Sequence, residues 1–397
     1  MNIVQKYSGA SLDSIEGIKA VARHIAETKK KEDGLVVVTG LSERTAEGLE
    51  ERALKMGGDV PESEMNALLS AGDQQTAALL AIALQEEGIP AQSVTGFKSG
   101  VVTNRYRFKD RINEINTDRV EEIVESGRVA VVAGFQTTEG GSDVTAVGTA
   151  AYLGWDCDIY TEDMCMYTVD PQVYPEAKPI KAVTYEEMME MANLGADKIE
   201  TKAVELAKKY SVKLFFGKSL EDDRSKGTYI VSKEMIINEN LLVEDTPVTG
   251  MGIQDEVSIF TLRNLASDGK AVAEVFRILG EQNIIVDMIS QQMAENGTCT
   301  VSFSCGADQG EALTNEIGRH EIFDGITIDC EGNLAMISLV GVGMAANSGV
   351  ASEVFRILAE NNIKYYHITT SEISISVTVE MGQKLNAAIA LCRAFNL

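Results

Sequence analysis

The stretch with the most chemical content runs from Gly134 to Ala146 and reads Gly-Phe-Gln-Thr-Thr-Glu-Gly-Gly-Ser-Asp-Val-Thr-Ala, directly after the apolar run Val129 to Ala133. An apolar strand that breaks into a Gly-Gly turn, followed by Ser142, Asp143 and Thr145 as helix-opening residues, leaves unpaired backbone N–H groups aimed at one spot. That spot suits an anion, typically phosphate; a tight turn without a ligand is the equally open alternative. A second glycine turn, Lys6 to Ala10, places an amine at the end of a short strand expected over residues 2–5. Gly217-Lys218-Ser219 imitates the end of a P-loop, but the earlier glycine of that motif is Val212 here, so no P-loop is present. The six cysteines (157, 165, 299, 305, 330 and 392) form no Cys-x-x-Cys pair and the three histidines lie far apart, which predicts buried thiols and no metal site.

The elements that must position these residues alternate. Residues 2–5 read as a strand, 11–30 as a helix with apolar positions at Ile15, Ile18, Ala22 and Ile25, and Leu35 to Thr39 as a second strand, a unit of the length a parallel crossover requires. A helix over 73–85, a strand at 91–94, a helix over 117–125, the strand at Val129, a helix over 144–153 and a strand at 157–160 continue the pattern. Such alternation predicts an α/β fold with a parallel-rich sheet covered by helices on both faces. Composition bounds the rest: 397 residues allow two or three domains, and a net charge of -25 repels nucleic acid and anionic membranes. No apolar run approaches a membrane span and the first residues lack the core of a signal peptide, which predicts a cytoplasmic protein.

Past the polar turn Glu221 to Gly227 the strands crowd together, and a domain boundary is expected between 228 and 246. Glu274-Val-Phe-Arg-Ile-Leu279 recurs as Glu353-Val-Phe-Arg-Ile-Leu358, and Ile284 and Ile289 recur at the same offset as Ile363 and Ile368. Two copies of one small α+β module are implied, reading strand 257–262, helix 271–281, strand 284–289 and strand 299–303, then strand 335–340, helix 350–361, strand 364–369 and strand 373–379. Modules this small bury little apolar surface alone and should pack on a twin or on another subunit.

At this point the residues resemble a known family. Val4-Gln-Lys-Tyr-Ser-Gly-Ala-Ser11, Leu68-Leu-Ser-Ala-Gly-Asp-Gln74, Gly140-Gly-Ser-Asp-Val-Thr-Ala146, Tyr160-Thr161 with Tyr167-Thr-Val-Asp-Pro171, Val340-Gly-Val-Gly-Met344 and Ile368-Thr-Thr-Ser-Glu-Ile-Ser-Ile375 occur in the order found in aspartate kinases. The resemblance covers the whole chain and implies an amino-acid-kinase domain over 1–230, a linker and edge strand over 231–249, and two ACT (ferredoxin-like) modules over 250–330 and 331–397. It further implies transfer of the ATP γ-phosphoryl group, with Mg2+, to the side-chain carboxylate of aspartate, a reaction that rests on positioning and charge neutralisation. Lys6 and Asp143 match the catalytic positions. Gly9, Gly140, Gly141, Thr161, Glu162, Tyr167, Asp170 and Lys218 match the nucleotide site, and Thr39, Thr45, Asp73, Glu139 and Ser142 the acceptor site. Gln291, Gln292, Gly349, Val350, Ser371 and Glu372 fall at effector positions, and a homodimer is expected.

The departures fall where the acceptor should bind. The family's α-carboxylate-clamping arginine is Glu139 here, and loss of one partner of a buried charged pair costs roughly 2–5 kcal/mol, a hundredfold or more in affinity. The family's glutamate for the substrate amino group is the shorter Asp73, Ser8 replaces a glycine, and Glu200-Thr201-Lys202 replaces His-Pro-Arg. Three functions remain open: an aspartate kinase with a changed pocket, a kinase of this fold for another carboxylate or carbamate, and a weakly catalytic regulatory homologue working through its ACT modules. The first is the expectation carried forward.

Overall fold

The computed structural model describes the chain except for residues 1, 59, 96–100, 107–108, 116, 136–140, 197, 222, 242–245, 283, 285, 287, 295–296, 345–346 and 348, and the side chains of 101–115, 308 and 311. Two compact units result: one comprises 1–168, 178–193 and 197–245, the other 169–177, 194–196 and 246–397.

The first unit opens with β1 (Asn2–Tyr7), α1 (Ile15–Lys29) and β2 (Gly34–Thr39). Ser14 caps α1 by accepting the Gly17 N–H at 3.0 Å, and Ile18, Val21, Ala22 and Ile25 form its buried stripe. Next come α2 (Glu43–Met56) and α3 (Glu62–Glu86), then β3 (Ala91–Val94), the hairpin β4 (Val101–Tyr106) and β5 (Lys109–Ile115), and α4 (Asp118–Glu125). They are followed by β6 (Val129–Ala133), α5 (Ser142–Leu153), β7 (Asp156–Thr161), β8 (Ala182–Thr184), α6 (Tyr185–Asn193), α7 (Thr201–Tyr210), β9 (Leu214–Lys218), β10 (Thr228–Val231) and α8 (Lys233–Asn238). Helix α2 is absent from the sequence reading: its inward positions Ala46, Leu49 and Ala53 are only half-buried, and Ser42 caps its start. Helix α3 is 25 residues long and apolar enough in composition to cross a membrane, yet Leu69, Thr76, Ala77, Leu80 and Leu84 are buried in the protein core.

One eight-stranded sheet has the order β3-β6-β2-β1-β7-β9-β10-β8. Its pairings are parallel except β9 with β10, which run antiparallel. Strands β2 and β6 are buried at every position, as a sheet covered on both faces demands. Because β1, β2, β6 and β7 are parallel, their carboxyl ends fall on one edge, and the chain leaves β1, β2 and β6 through turns containing Gly9, Gly40 and Gly134.

The second unit contains β11 (Gly250–Ala266), α9 (Lys270–Glu281), β12 (Ile289–Met293), β13 (Thr298–Gly306), α10 (Gly310–Ile317), β14 (Thr327–Val340), α11 (Gly349–Glu360), β15 (Tyr365–Thr370), β16 (Ser374–Glu380) and α12 (Lys384–Phe395). They build a six-stranded antiparallel sheet ordered β12-β13-β11-β14-β16-β15. The repeat is visible in packing: Val275, Ile278 and Leu279 of α9 occupy one core, and Val354, Ile357 and Leu358 of α11 the other. The strand expected over 284–289 begins instead at Ile289, while Ile284 and Val286 pack on the core. The halves are interleaved through their two long strands. Gly250 to Gln254 pairs with Met336 to Val340, beside β16, whereas residues 259–263 pair with 327–331.

Candidate active site

The carboxyl-end edge of the first sheet gathers the candidate residues. Lys6, next to last in β1, extends its Nζ to 2.7 Å from Oδ1 of Asp143 in the first turn of α5, both side chains about nine-tenths buried. Asp143 Oδ2 accepts the Glu200 N–H at 3.4 Å, and Glu200 Oε2 in turn accepts the Gly141 N–H at 3.2 Å. Burial, then the neighbouring Asp143 charge, raises the Glu200 carboxyl above its ordinary range, against the Gly141 hydrogen bond and Lys6. An ammonium held by one carboxylate at a helix N-terminus is arranged to stabilise negative charge developing on a transferred group.

Beside this pair, Thr39 at the end of β2 donates its hydroxyl to Asp73 Oδ1 at 2.6 Å, and the Phe135 N–H donates to Asp73 Oδ2 at 2.6 Å. Asp73 is fully buried, and burial pushes its carboxyl up to about 6 against the hydrogen bonds from Phe135, Thr39 and Gly134 and the charge of Lys6. Both oxygens are therefore engaged within the protein. Thr45 stands in the first turn of α2, its N–H capped by Ser42 Oγ at 3.1 Å and its methyl group beside Gly72. Ser142 opens α5 and is half-buried. Glu139 and Gly140 lie outside the described residues.

The turn after β1 is tied to the loops after β7 and β9. Ser11 Oγ donates to Ser219 Oγ at 2.6 Å and lies 3.3 Å from Glu162 Oε1, and the Ser219 N–H donates to the Thr161 carbonyl at 2.8 Å. Gly9 is required here, because a Cβ would lie 1.9 Å from the Leu41 carbonyl oxygen. The Ser8 N–H is spent on the Tyr160 carbonyl at 2.9 Å. Thr161 and Lys218 face each other in the register of β7 and β9, with Lys218 exposed, and Tyr167 is half-buried in a bridge to Pro179. These residues come together around one end of the sheet. Asp170 is grouped with the second unit, and its Oδ1 accepts the Gln172 N–H at 2.8 Å.

The matching family models are the amino acid kinase family over residues 1–218 and the ACT domain over residues 337–395. An aspartokinase of Bacillus sp. (strain MGA3) is 36% identical over 407 residues, covering 100% of this chain and 97% of that protein. The chain belongs to the aspartokinase family. Aspartokinase 2 of Bacillus subtilis (strain 168) is 38% identical over 410 residues, covering 100% of this chain and 98% of its own length. E. coli aspartokinase III, solved in complex with aspartate and ADP in its R-state, shares the fold with a TM-score of 0.80 over 100% of both chains at 21% identity. For an aspartokinase-family chain, the positions departing from pattern gain weight: Glu200, part of a tripeptide substitution visible in the sequence, is the site residue that sequence reasoning did not single out.

In the second unit the effector candidates occupy two places. Gln291 and Gln292 are exposed on the edge strand β12, and Gln292 lines an open depression with Thr261, Ser302 and His367. Gly349 and Val350 begin α11, but the Val350 side chain is buried in the core. Ser371 and Glu372 form the exposed turn between β15 and β16, and the adjoining Ile373 carbonyl accepts the Gly341 N–H at 2.8 Å.

Proposed function

We propose that the chain is an aspartate kinase that transfers the γ-phosphoryl group of ATP to the side-chain carboxylate of aspartate in the cytoplasm. A carboxylate oxygen of the acceptor bonds to phosphorus, the bond to the ADP oxygen breaks, and an acyl phosphate and ADP leave. The observation that carries this reading is the buried Lys6–Asp143 pair at the opening of α5. Lys6 stabilises the charge on the transferring oxygens, Asp143 fixes the lysine, and Gly141, Thr161, Glu162, Tyr167 and Lys218 surround the nucleotide. Mg2+, when bound with the nucleotide, would supply neutralisation of phosphate charge.

The ACT unit would take an amino-acid effector and pair with a second copy of the chain, a reading supported by the exposed edge strands, with Ile289 56% and Met293 63% exposed on β12 and Ile368 40% exposed on β15. A second reading, a kinase of the same fold for a different acceptor, is supported by Asp73, whose two oxygens are already engaged. Trapping of the acyl phosphate by hydroxylamine, run over a panel of acidic amino acids, separates them. Aspartate should give the strongest signal, and Lys6→Met should lower kcat by about a hundredfold or more while nucleotide binding persists. ATP turnover that aspartate does not stimulate, with the protein folded, would overturn the first reading.

A further inference from the structure

We propose that Glu200 is an internal anion that occupies the anion-binding start of α5 and must leave Gly141 before an anionic oxygen of the reactants can take its place. The proposal deepens the kinase reading of this site. Its first support is geometric: Glu200 Oε2 already accepts the Gly141 N–H at 3.2 Å, the hydrogen bond that a phosphoryl or carboxylate oxygen would receive at a helix start. The second is the charge count. Two carboxylates, Asp143 and Glu200, face one ammonium, Lys6, and the same two groups act on Glu200 electrostatically from α5 and β1. With both carboxylates ionised, a further anion at this place is opposed by local negative charge. The third is space. A Cβ on residue 141 would stand 1.9 Å from Glu200 Oε1, so glycine is what admits the carboxylate. The group admitted is the far end of a flexible side chain, able to swing aside without moving backbone. It is half-buried, which leaves it a way out.

Protonation should open the same contact. Burial and Asp143 raise the Glu200 carboxyl, so acidification neutralises it before an ordinary glutamate and weakens its hold on the Gly141 amide. The competing anion has two sources, the transferred phosphoryl of the nucleotide and a carboxylate of the acceptor, and the experiment distinguishes them.

Calorimetry with the magnesium complex of a non-hydrolysable ATP analogue, and the KM for aspartate, are to be measured from pH 5 to 8 for the parent and for Glu200→Gln. The parent should gain affinity for one of the two ligands as the pH falls. Glu200→Gln should bind that ligand about tenfold more tightly at pH 8, with little remaining pH dependence. The nucleotide arm responding assigns the phosphoryl group; the aspartate arm assigns the carboxylate. If Glu200 merely braces the glycine turn, Glu200→Gln and Glu200→Ala will weaken both ligands or leave both unchanged, with kcat falling and the pH profile kept, and the proposal fails. The Gly141 amide resonance reads the contact without any ligand or turnover. It should titrate with Glu200 in the parent and stay flat in Glu200→Gln. A flat response in both overturns the proposal even if aspartate kinase activity is found, and a titrating one keeps it even if the acceptor is another carboxylate.

Discussion

Replacing Arg224 with alanine would strand a carboxylate that the fold has buried. Asp158 on β7 is 1% exposed, receives the Arg224 guanidinium at 2.6 and 3.0 Å, and receives the Tyr160 hydroxyl at 3.2 Å. The guanidinium also lies 4.1 Å from the ring centre of Phe215. Removing one partner of a buried pair costs about 3–5 kcal/mol, because the remaining ion has no compensation. The Arg224 side chain is 41% exposed, so screening brings the expectation to the lower end, about 3 kcal/mol, or roughly a hundredfold in the folding equilibrium. Burial already holds the Asp158 carboxyl above its ordinary 3.8 despite Arg224, and it should rise further in the variant. A carboxyl whose folded pKa exceeds the unfolded one binds its proton first in the folded state. Stability is therefore lost as the pH rises from the unfolded value through the folded one, and the deficit of Arg224→Ala should narrow on acidification. Trp155, the one tryptophan in the sequence, immediately precedes β7 and reports on this unit by fluorescence. Urea unfolding at pH 7.5 and pH 5.5 should show the deficit shrinking, and Asp158→Asn combined with Arg224→Ala should recover part of it. A deficit under about 1 kcal/mol at pH 7.5, or one that acid leaves unchanged, refutes the reasoning.

Thr39→Val removes a hydrogen bond that favours ionised Asp73, so the carboxyl should titrate above its present value of about 6. The variant should lose about 1.5–3 kcal/mol above pH 7, and the loss should fade below pH 6 where folded Asp73 is protonated, as thermal melts across pH would record. Gly9→Ala places a methyl group against the Leu41 carbonyl, which is backbone and cannot turn away; a destabilisation of about 1–3 kcal/mol and weaker binding of an ATP analogue by calorimetry are expected. Cys330 is exposed while the other five cysteines are buried, so native alkylation read by mass spectrometry should modify Cys330 alone.

The sequence by itself determined the parts that rest on local pattern. The continuous apolar runs of β2 and β6 could be nothing but strands covered on both faces, and the Glu-Val-Phe-Arg-Ile-Leu repeat declared two copies of one module before any pairing was known. The turn residues Gly9 and Gly141 and the pair Lys6 and Asp143 were legible for the same reason: a strand end and a helix start each carry a local signature, and the family pattern joined them. Helix α2 and the hairpin of β4 and β5 were not legible; in α2 the inward positions Ala46, Leu49 and Ala53 are small or sparse and only half-buried. Only tertiary structure decided which distant segments share a space. The pairing of residues 250–254 beside the second repeat, and the placement of Asp170 in the second unit, are long-range choices that no window of sequence encodes. The same holds for Glu200, 59 positions from Gly141 in the chain yet hydrogen-bonded to it: charge at a helix start is set by whatever the fold brings there, and spacing along the chain says nothing about that distance.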